Sequence, residues 1–152
     1  MSERIAILGA GSWGTALAIH CARIGYDVRW WGRDAALVAN IARTRENVGY
    51  LPSALLPTSV ALTSSLERAL DNATLVIAAV PSHGLRAVLQ ESRPFLPRAV
   101  AIVSASKGLE EGSMRRMSQV IDEEAGPEHR VVALSGPSFA VEVARGLPCR
   151  ID

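Results

Sequence analysis

Near the start of the chain an apolar run, Ile5-Ala6-Ile7-Leu8, ends in Gly9-Ala10-Gly11-Ser12-Trp13-Gly14, and a helical pattern begins at once. This G-x-G-x-x-G spacing between a strand and a helix suits a pyrophosphate. Gly9 permits a tight turn at the end of the strand. Gly11 lacks the Cβ that would keep a phosphate off the backbone, and Gly14 lets the helix pack close to the sheet. The free N–H groups at the helix start and the positive end of its dipole then favour an anion. A glycine-rich turn with no ligand would use the same letters. The strand before it and the helix after it favour dinucleotide binding.

Three further positions have residue types suited to the same ligand. Folds that select NAD usually carry an acidic residue about 20 residues past the glycines, where it binds the ribose 2′-hydroxyl. Arg33 stands there, with Asp34 behind it. An arginine can pair with a 2′-phosphate bidentately and stack on adenine. The plainer alternative is a solvated turn arginine, with Asp34 as the cap of the next helix. Lys107 is the only lysine among 16 basic residues. A compact ammonium at a strand end suits a phosphate or a hydroxyl; the plainer and weaker alternative is one surviving surface lysine. Gly136 and Ser138 flank Pro137 at an expected helix start, where backbone N–H groups and a hydroxyl can hold an anion or a substrate hydroxyl. An ordinary N-cap by Ser135 or Ser138 is the alternative. His83 is either polar lining or a solvated helix-start residue. Glu110, Glu111, Asp122, Glu123 and Glu124 read as solvated charge.

These residues need a frame, and the pattern supplies one. Strands are expected at Arg4 to Leu8, Tyr26 to Trp31, Val60 to Thr63, Thr74 to Val80, Ala99 to Ser104 and Arg130 to Leu134. A further strand is expected to open at Cys149 to Asp152. Helices are expected at Ser12 to Ile24, Ala35 to Thr44, Ser65 to Asn72, Gly84 to Ser92, Ser113 to Glu124 and Ser138 to Arg145. In the first helix Trp13, Ala16, Leu17, His20 and Ile24 share one stripe, so His20 reads as a core histidine, and Gly25 closes the helix. Arg45 to Thr58 reads as a long irregular loop, a kind of segment that is often functional. The alternation specifies an α/β fold with a doubly wound, mostly parallel sheet of the Rossmann type. Ligands on such sheets bind beyond the carboxyl ends of the strands. The turns at 9–14, 32–34, 81–84, 104–108 and 135–138 should therefore converge on one face.

Composition narrows the class. The chain has 152 residues, 49% hydrophobic and 20% charged, with net charge +1. That suits one domain over residues 1–152 with a substantial core, and gives no sign of a nucleic-acid or membrane surface. No apolar run reaches the length of a membrane span. Cys21 and Cys149 have no metal-ligand spacing and read as reduced thiols of a cytoplasmic protein.

The chain resembles bacterial NAD(P)-dependent glycerol-3-phosphate dehydrogenase along its whole length. The glycine block through Ala18 carries the resemblance, with Ala79-Val80-Pro81-Ser82-His83, Ser106-Lys107-Gly108-Leu109-Glu110, and Leu134 to Pro148 with its Gly-Pro-Ser-Phe-Ala core. The resemblance implies cofactor contacts at Gly9, Gly11, Ser12, Trp13, Gly14, Arg33, Tyr50, Pro81, Lys107 and Ala140. It implies substrate contacts at Lys107, Gly136 and Ser138, with NADP(H) or NAD(H) as cofactor and no metal. The implied reaction interconverts sn-glycerol 3-phosphate and dihydroxyacetone phosphate. The proton-accepting lysine of the family lies in a helical second domain, absent here, and no residue of this chain matches it, so no catalytic residue is expected within it. Expected partners are small molecules, with no nucleic acid and no membrane insertion; a homodimer stays open. Two alternatives remain at this point: the cofactor domain of another two-domain hydroxyacid or sugar-nucleotide dehydrogenase, and a non-enzymatic nucleotide-binding module.

Overall fold

Strand β1 (Arg4–Leu8) lies in the middle of the sheet because both its faces are apolar, as the buried run Ile5 to Leu8 requires. Helix α1 (Ser12–Arg23) returns the chain to β2 (Asp27–Trp31), and α2 (Ala35–Thr44) follows. A small antiparallel hairpin comes next, β3 (Glu46–Asn47) and β4 (Leu51–Leu55). The remainder is β5 (Ala61–Thr63), α3 (Leu66–Leu70), β6 (Leu75–Ala78), α4 (Leu85–Ser92), a 3₁₀ turn at Arg93–Phe95, β7 (Ala101–Ser104), α5 (Met117–Ala125), β8 (Val131–Ala133) and α6 (Ala140–Ala144). This computed structural model describes residues 3–151.

The main sheet has six strands in the order β5-β2-β1-β6-β7-β8, every neighbouring pair parallel. Chain order reverses between β1 and β6, which is where such a sheet opens a crevice for a ligand. Alternate residues of each strand face opposite layers. Ala6, Leu8, Val76, Ala78 and Ile102 pack with α3, α4 and α5. Ile5, Ile7, Val28, Trp30 and Ile77 pack with α1, Ile41 of α2, Leu51 of the hairpin and Val143 of α6. The expected doubly wound, mostly parallel α/β sheet is therefore present.

Several expectations need correction. The segment 45–58 is not irregular: it holds the β3–β4 hairpin, and Asn47 is buried at its base. The buried stripe of α1 is wider than a single 3.6-residue face. Residues 14–19 and Cys21 are all buried, because α1 is covered by α6 and β4 as well as by the sheet. Ile24 instead projects into solvent at 57% exposure, and His20 is only half-buried. The core histidine is His129, whose Nδ1 lies 2.9 Å from the Val100 carbonyl oxygen. Helix α5 begins at Met117 rather than Ser113. The chain first makes a tight loop in which Glu110 N–H donates to Arg115 O and Met114 N–H to Glu110 O. Helix α6 begins at Ala140 with Phe139 as its cap, so neither Ser135 nor Ser138 caps it. The strand expected at Cys149 to Asp152 is absent over Cys149 to Ile151; Asp152 lies outside the described residues.

Candidate functional site

The turn after β1 is shaped by two close backbone approaches. Gly9 has φ +121°, and a Cβ there would lie 2.4 Å from the Ala79 carbonyl oxygen, so only glycine lets β1 end beside β6. A Cβ on Gly14 would lie 2.0 Å from the Gly9 carbonyl oxygen. Gly14 thus brings α1 against the turn itself, a more specific job than general packing on the sheet. The same Gly9 oxygen accepts a 2.7 Å hydrogen bond from the buried Trp30 Nε1, which fixes the plane of the turn. Around Gly11 the opposite holds: nothing lies within 4 Å of its Cβ position. Gly11 is the N-cap of α1 with no side-chain cap hydrogen bond, and the first turn contains no acidic residue. An open approach to uncapped N–H groups, free of negative charge, fits the pyrophosphate of a dinucleotide.

The hairpin is tied down over this turn. Asn47 Nδ2 donates to Ala10 O at 3.0 Å and to Thr15 Oγ1 at 2.9 Å, while Thr15 Oγ1 donates to Gly11 O at 2.7 Å. Ser12 Oγ donates to Tyr50 O at 2.5 Å. Tyr50 is thereby held beside the glycines with its side chain exposed. Asn47 Oδ1 and Trp13 Nε1 are buried with no hydrogen-bond partner among the described residues. An indole N–H of that kind beside the opening is a donor available to a bound group.

From the other half of the sheet, Ser106 Oγ donates to Val80 O at 2.6 Å and Ala78 O at 3.2 Å. It binds the turn after β7 to the turn after β6, which carries Pro81. Lys107 then reaches across, with Nζ 5.3 Å from the centroid of the Trp13 ring. Two residues 94 positions apart thus meet over the start of α1, the distance at which a cation and an indole attract. Lys107 also lines a cleft of 410 Å³ with Ser104, Ser106, Gly108, Ser135 and Gly136, among others. Ser138 is not in that wall: it is buried, and its N–H donates to Gly136 O at 2.9 Å. Ala140 packs half-buried against the core that also takes Ala10 and Trp13. The site residues therefore form two groups, one over the glycine turn and one in the cleft, with Lys107 common to both. Arg33 stands apart at the outer end of β2. It is 5.7 Å above the Trp31 ring and paired with Glu91 at 3.2 Å. Asp34 caps α2 by accepting from Ala36 and Leu37 N–H.

The acidic residues after Lys107 are not simply solvated. Glu110 makes a bidentate pair with Arg86 of α4, at 2.6 and 2.8 Å, and Glu123 and Glu124 of α5 close on the same guanidinium. The hydrogen bond from Arg86, helped by one from Ser113, lowers the Glu110 carboxyl from about 4.5 to about 2. The same carboxylates raise Arg86 above the ordinary arginine value. This network staples the loop that begins at Lys107 to two helices. Sequence reading passed over Asn47, Ser106, Trp30 and Arg86. The length of the 45–58 segment was the one signal pointing to Asn47. Trp30 was detectable only by the rule that a buried indole N–H needs an acceptor.

Comparison with known proteins agrees with this arrangement. Residues 4–152 match the family model described as NAD-dependent glycerol-3-phosphate dehydrogenase N-terminus. A glycerol-3-phosphate dehydrogenase [NAD(P)+] of Pelotomaculum thermopropionicum is 45% identical over 99% of this chain and 44% of its own length. One from Thioalkalivibrio sulfidiphilus is 47% identical over 95% and 43%. The crystal structure of glycerol-3-phosphate dehydrogenase from Coxiella burnetii superposes with TM-score 0.91 at 36% identity, covering 99% of this chain and 46% of that one. The chain thus spans less than half the length of these relatives. No helix among the described residues is long and apolar enough to cross a membrane. With one family model spanning the glycine turn, the Lys107 loop and the last helix together, this chain belongs to the N-terminal domain family of NAD-dependent glycerol-3-phosphate dehydrogenases.

Proposed function

We propose that residues 1–152 form the NAD(P)H-binding domain of an oxidoreductase that interconverts sn-glycerol 3-phosphate and dihydroxyacetone phosphate. The observation that carries this reading is the open, uncapped start of α1 at Gly11, at the point where chain order in the sheet reverses, with Lys107 drawn over it. In this reading Gly9, Gly11, Ser12, Trp13 and Gly14 receive the pyrophosphate, and backbone N–H groups of α1 donate to it. Tyr50, Pro81 and Ala140 flank the nicotinamide half. Arg33 meets the adenosine 2′ position and pairs with a phosphate there. Lys107 and Gly136 orient the phosphate and hydroxyls of the substrate in the neighbouring cleft, and Ser138, buried behind Gly136, fixes that turn and would meet substrate only if the turn opened. The bound nicotinamide supplies the hydride chemistry, while the protein supplies position and electrostatics. Proton transfer at the substrate hydroxyl belongs to a residue outside 1–152. The partners in this reading are small molecules, in a cytoplasmic protein with two free thiols. Self-association would use the exposed side chains Phe139, Val141 and Leu147.

Fluorescence titration tests this directly. A polypeptide of these 152 residues is expected to bind NADPH and NADH, with NADPH the tighter. Arg33→Ala is expected to cost NADPH about tenfold to a hundredfold and NADH little, as loss of a charge-assisted bidentate contact requires. The same polypeptide should not oxidise NADPH when dihydroxyacetone phosphate is added, because positioned acid–base groups alone contribute typically ~10²–10⁴-fold. Absence of nucleotide binding would sink the reading. Substantial turnover would place the proton-transfer group within these residues.

A further inference from the structure

We propose that Glu91 of α4 is a specificity-determining residue that sets how strongly this site prefers the 2′-phosphorylated coenzyme. The inference rests on the reading above, in which Arg33 meets the adenosine 2′ position. Glu91 Oε1 lies 3.2 Å from Arg33 Nη2, although the two residues are 58 positions apart. The guanidinium is therefore held from two sides, by the Trp31 ring 5.7 Å away and by the carboxylate beside it. Trp31, Arg33, Ser64 and Glu91 share the wall of one open cleft of 320 Å³ at the end of β2. NAD-selective folds carry a carboxylate at that strand end. Here the strand end carries Arg33, and a carboxylate reaches the same place from α4.

Opposed effects follow for the two coenzymes. A 2′-phosphate must take Arg33 away from Glu91, and it then sits close to a carboxylate of like charge. A 2′-hydroxyl does neither, and it can donate a hydrogen bond to the carboxylate. The side chains are 58% and 52% exposed, so their pairing is weak enough for a phosphate to displace. The carboxylate thus restrains a preference that Arg33 alone would make stronger. From its sequence position Arg33 is expected either to meet a 2′-phosphate and adenine or to stand as a solvated turn arginine. The structure gives it a competing partner.

The test compares dissociation constants of NADPH and NADH for the unsubstituted protein, Glu91→Gln, Glu91→Lys and Arg33→Ala. Glu91→Gln is expected to raise the preference for NADPH by roughly threefold to tenfold. Glu91→Lys should raise it further, and both gains should shrink as salt rises from 0.05 to ~0.5 M, because exposed charges are screened. The thermal midpoint should hold steady, which separates a specificity role from a structural one. If Arg33→Ala lowers the preference while Glu91→Gln changes it less than twofold, the role of Glu91 is refuted and that of Arg33 stands. If Arg33→Ala weakens both coenzymes equally, the underlying reading fails and the inference with it.

Discussion

Substituting Gly14 by alanine should damage the glycine turn from inside. The new Cβ would lie 2.0 Å from the Gly9 carbonyl oxygen, about 1.4 Å short of the 3.4 Å where ordinary contact begins. Neither side can yield cheaply. Gly9 O is backbone, it accepts the Trp30 indole N–H at 2.7 Å, and Gly9 itself is wedged against Ala79. Overpacking of this kind costs about 1–3 kcal/mol. Loss of the indole bond leaves a buried donor unsatisfied, at about 1–3 kcal/mol more. Alanine returns about 1 kcal/mol through its better helix propensity. The net loss is about 1–5 kcal/mol, or a fall of about 2–20 °C in thermal midpoint for a chain of this length. Gly11→Ala is the matched control. Its position is open and its φ of −85° suits alanine, so the midpoint should fall by no more than a few degrees. NADPH affinity should nevertheless drop by at least about tenfold, because under the proposed function the Cβ would stand where the pyrophosphate approaches. Circular dichroism melts and NADPH fluorescence titrations on both variants decide the matter. A Gly14→Ala protein that melts within 2 °C of the parent (~1 kcal/mol or less) and binds NADPH normally would refute this account of the turn.

Three shorter expectations follow from other contacts. Because Arg86 holds the Glu110 carboxyl at about 2 in the folded chain, the pair stabilises the fold fully above about pH 4.5. That contribution fades as pH falls towards about 2; Glu110→Gln should therefore flatten the thermal midpoint against pH across this window, and an unchanged slope would remove the pair from the account. Burial raises the Cys21 thiol to about 11, so a thiol reagent at pH 8 should label Cys149 first and reach Cys21 only on unfolding. Equal labelling rates in the native protein would contradict this. Asn47→Ala removes the donor to Ala10 and Thr15, and should cost about 1–3 kcal/mol and speed amide exchange over residues 46–55. Exchange at the parent rate would mean that something else holds the hairpin.

The order of strands and helices was legible because each element has its own period or its own stop. Gly25, at φ +101°, ends α1 with Tyr26 N–H on Cys21 O and its own N–H on Ala22 O, and Asp34 starts α2 as its type suggests. The β3–β4 hairpin was not legible. One strand is two residues long, the pairing shifts register, and Pro52 and the positive φ of Ser53 disguise the other as loop. The early start expected for α6 failed for a local reason: Ser138 spends its N–H on Gly136 O, and the helix waits for Phe139. In the candidate site, motif spacing named the glycines, Arg33 and Lys107. The partners that aim them, Trp30, Asn47, Ser106 and Glu91, come from other elements. Such pairings depend on how helices and strands are laid side by side, which no local period encodes.

The central place of β1 also bears on how the chain is made. Its neighbours in the sheet begin 23 and 71 residues after its first residue, at Asp27 and Leu75. A growing chain that has emerged only as far as Thr63 can pair β1 with β2 and β2 with β5, but the other edge of β1 has no strand to meet. Until Leu75–Ala78 leaves the ribosome, the apolar run from Ile5 to Leu8 remains open along that edge. Such an edge is where a nascent parallel sheet needs a chaperone or a fast supply of new residues. A pause while Leu75–Ala78 is still inside the ribosome would prolong that exposure, whereas a pause after those residues have emerged would fall when β1 already has both neighbours.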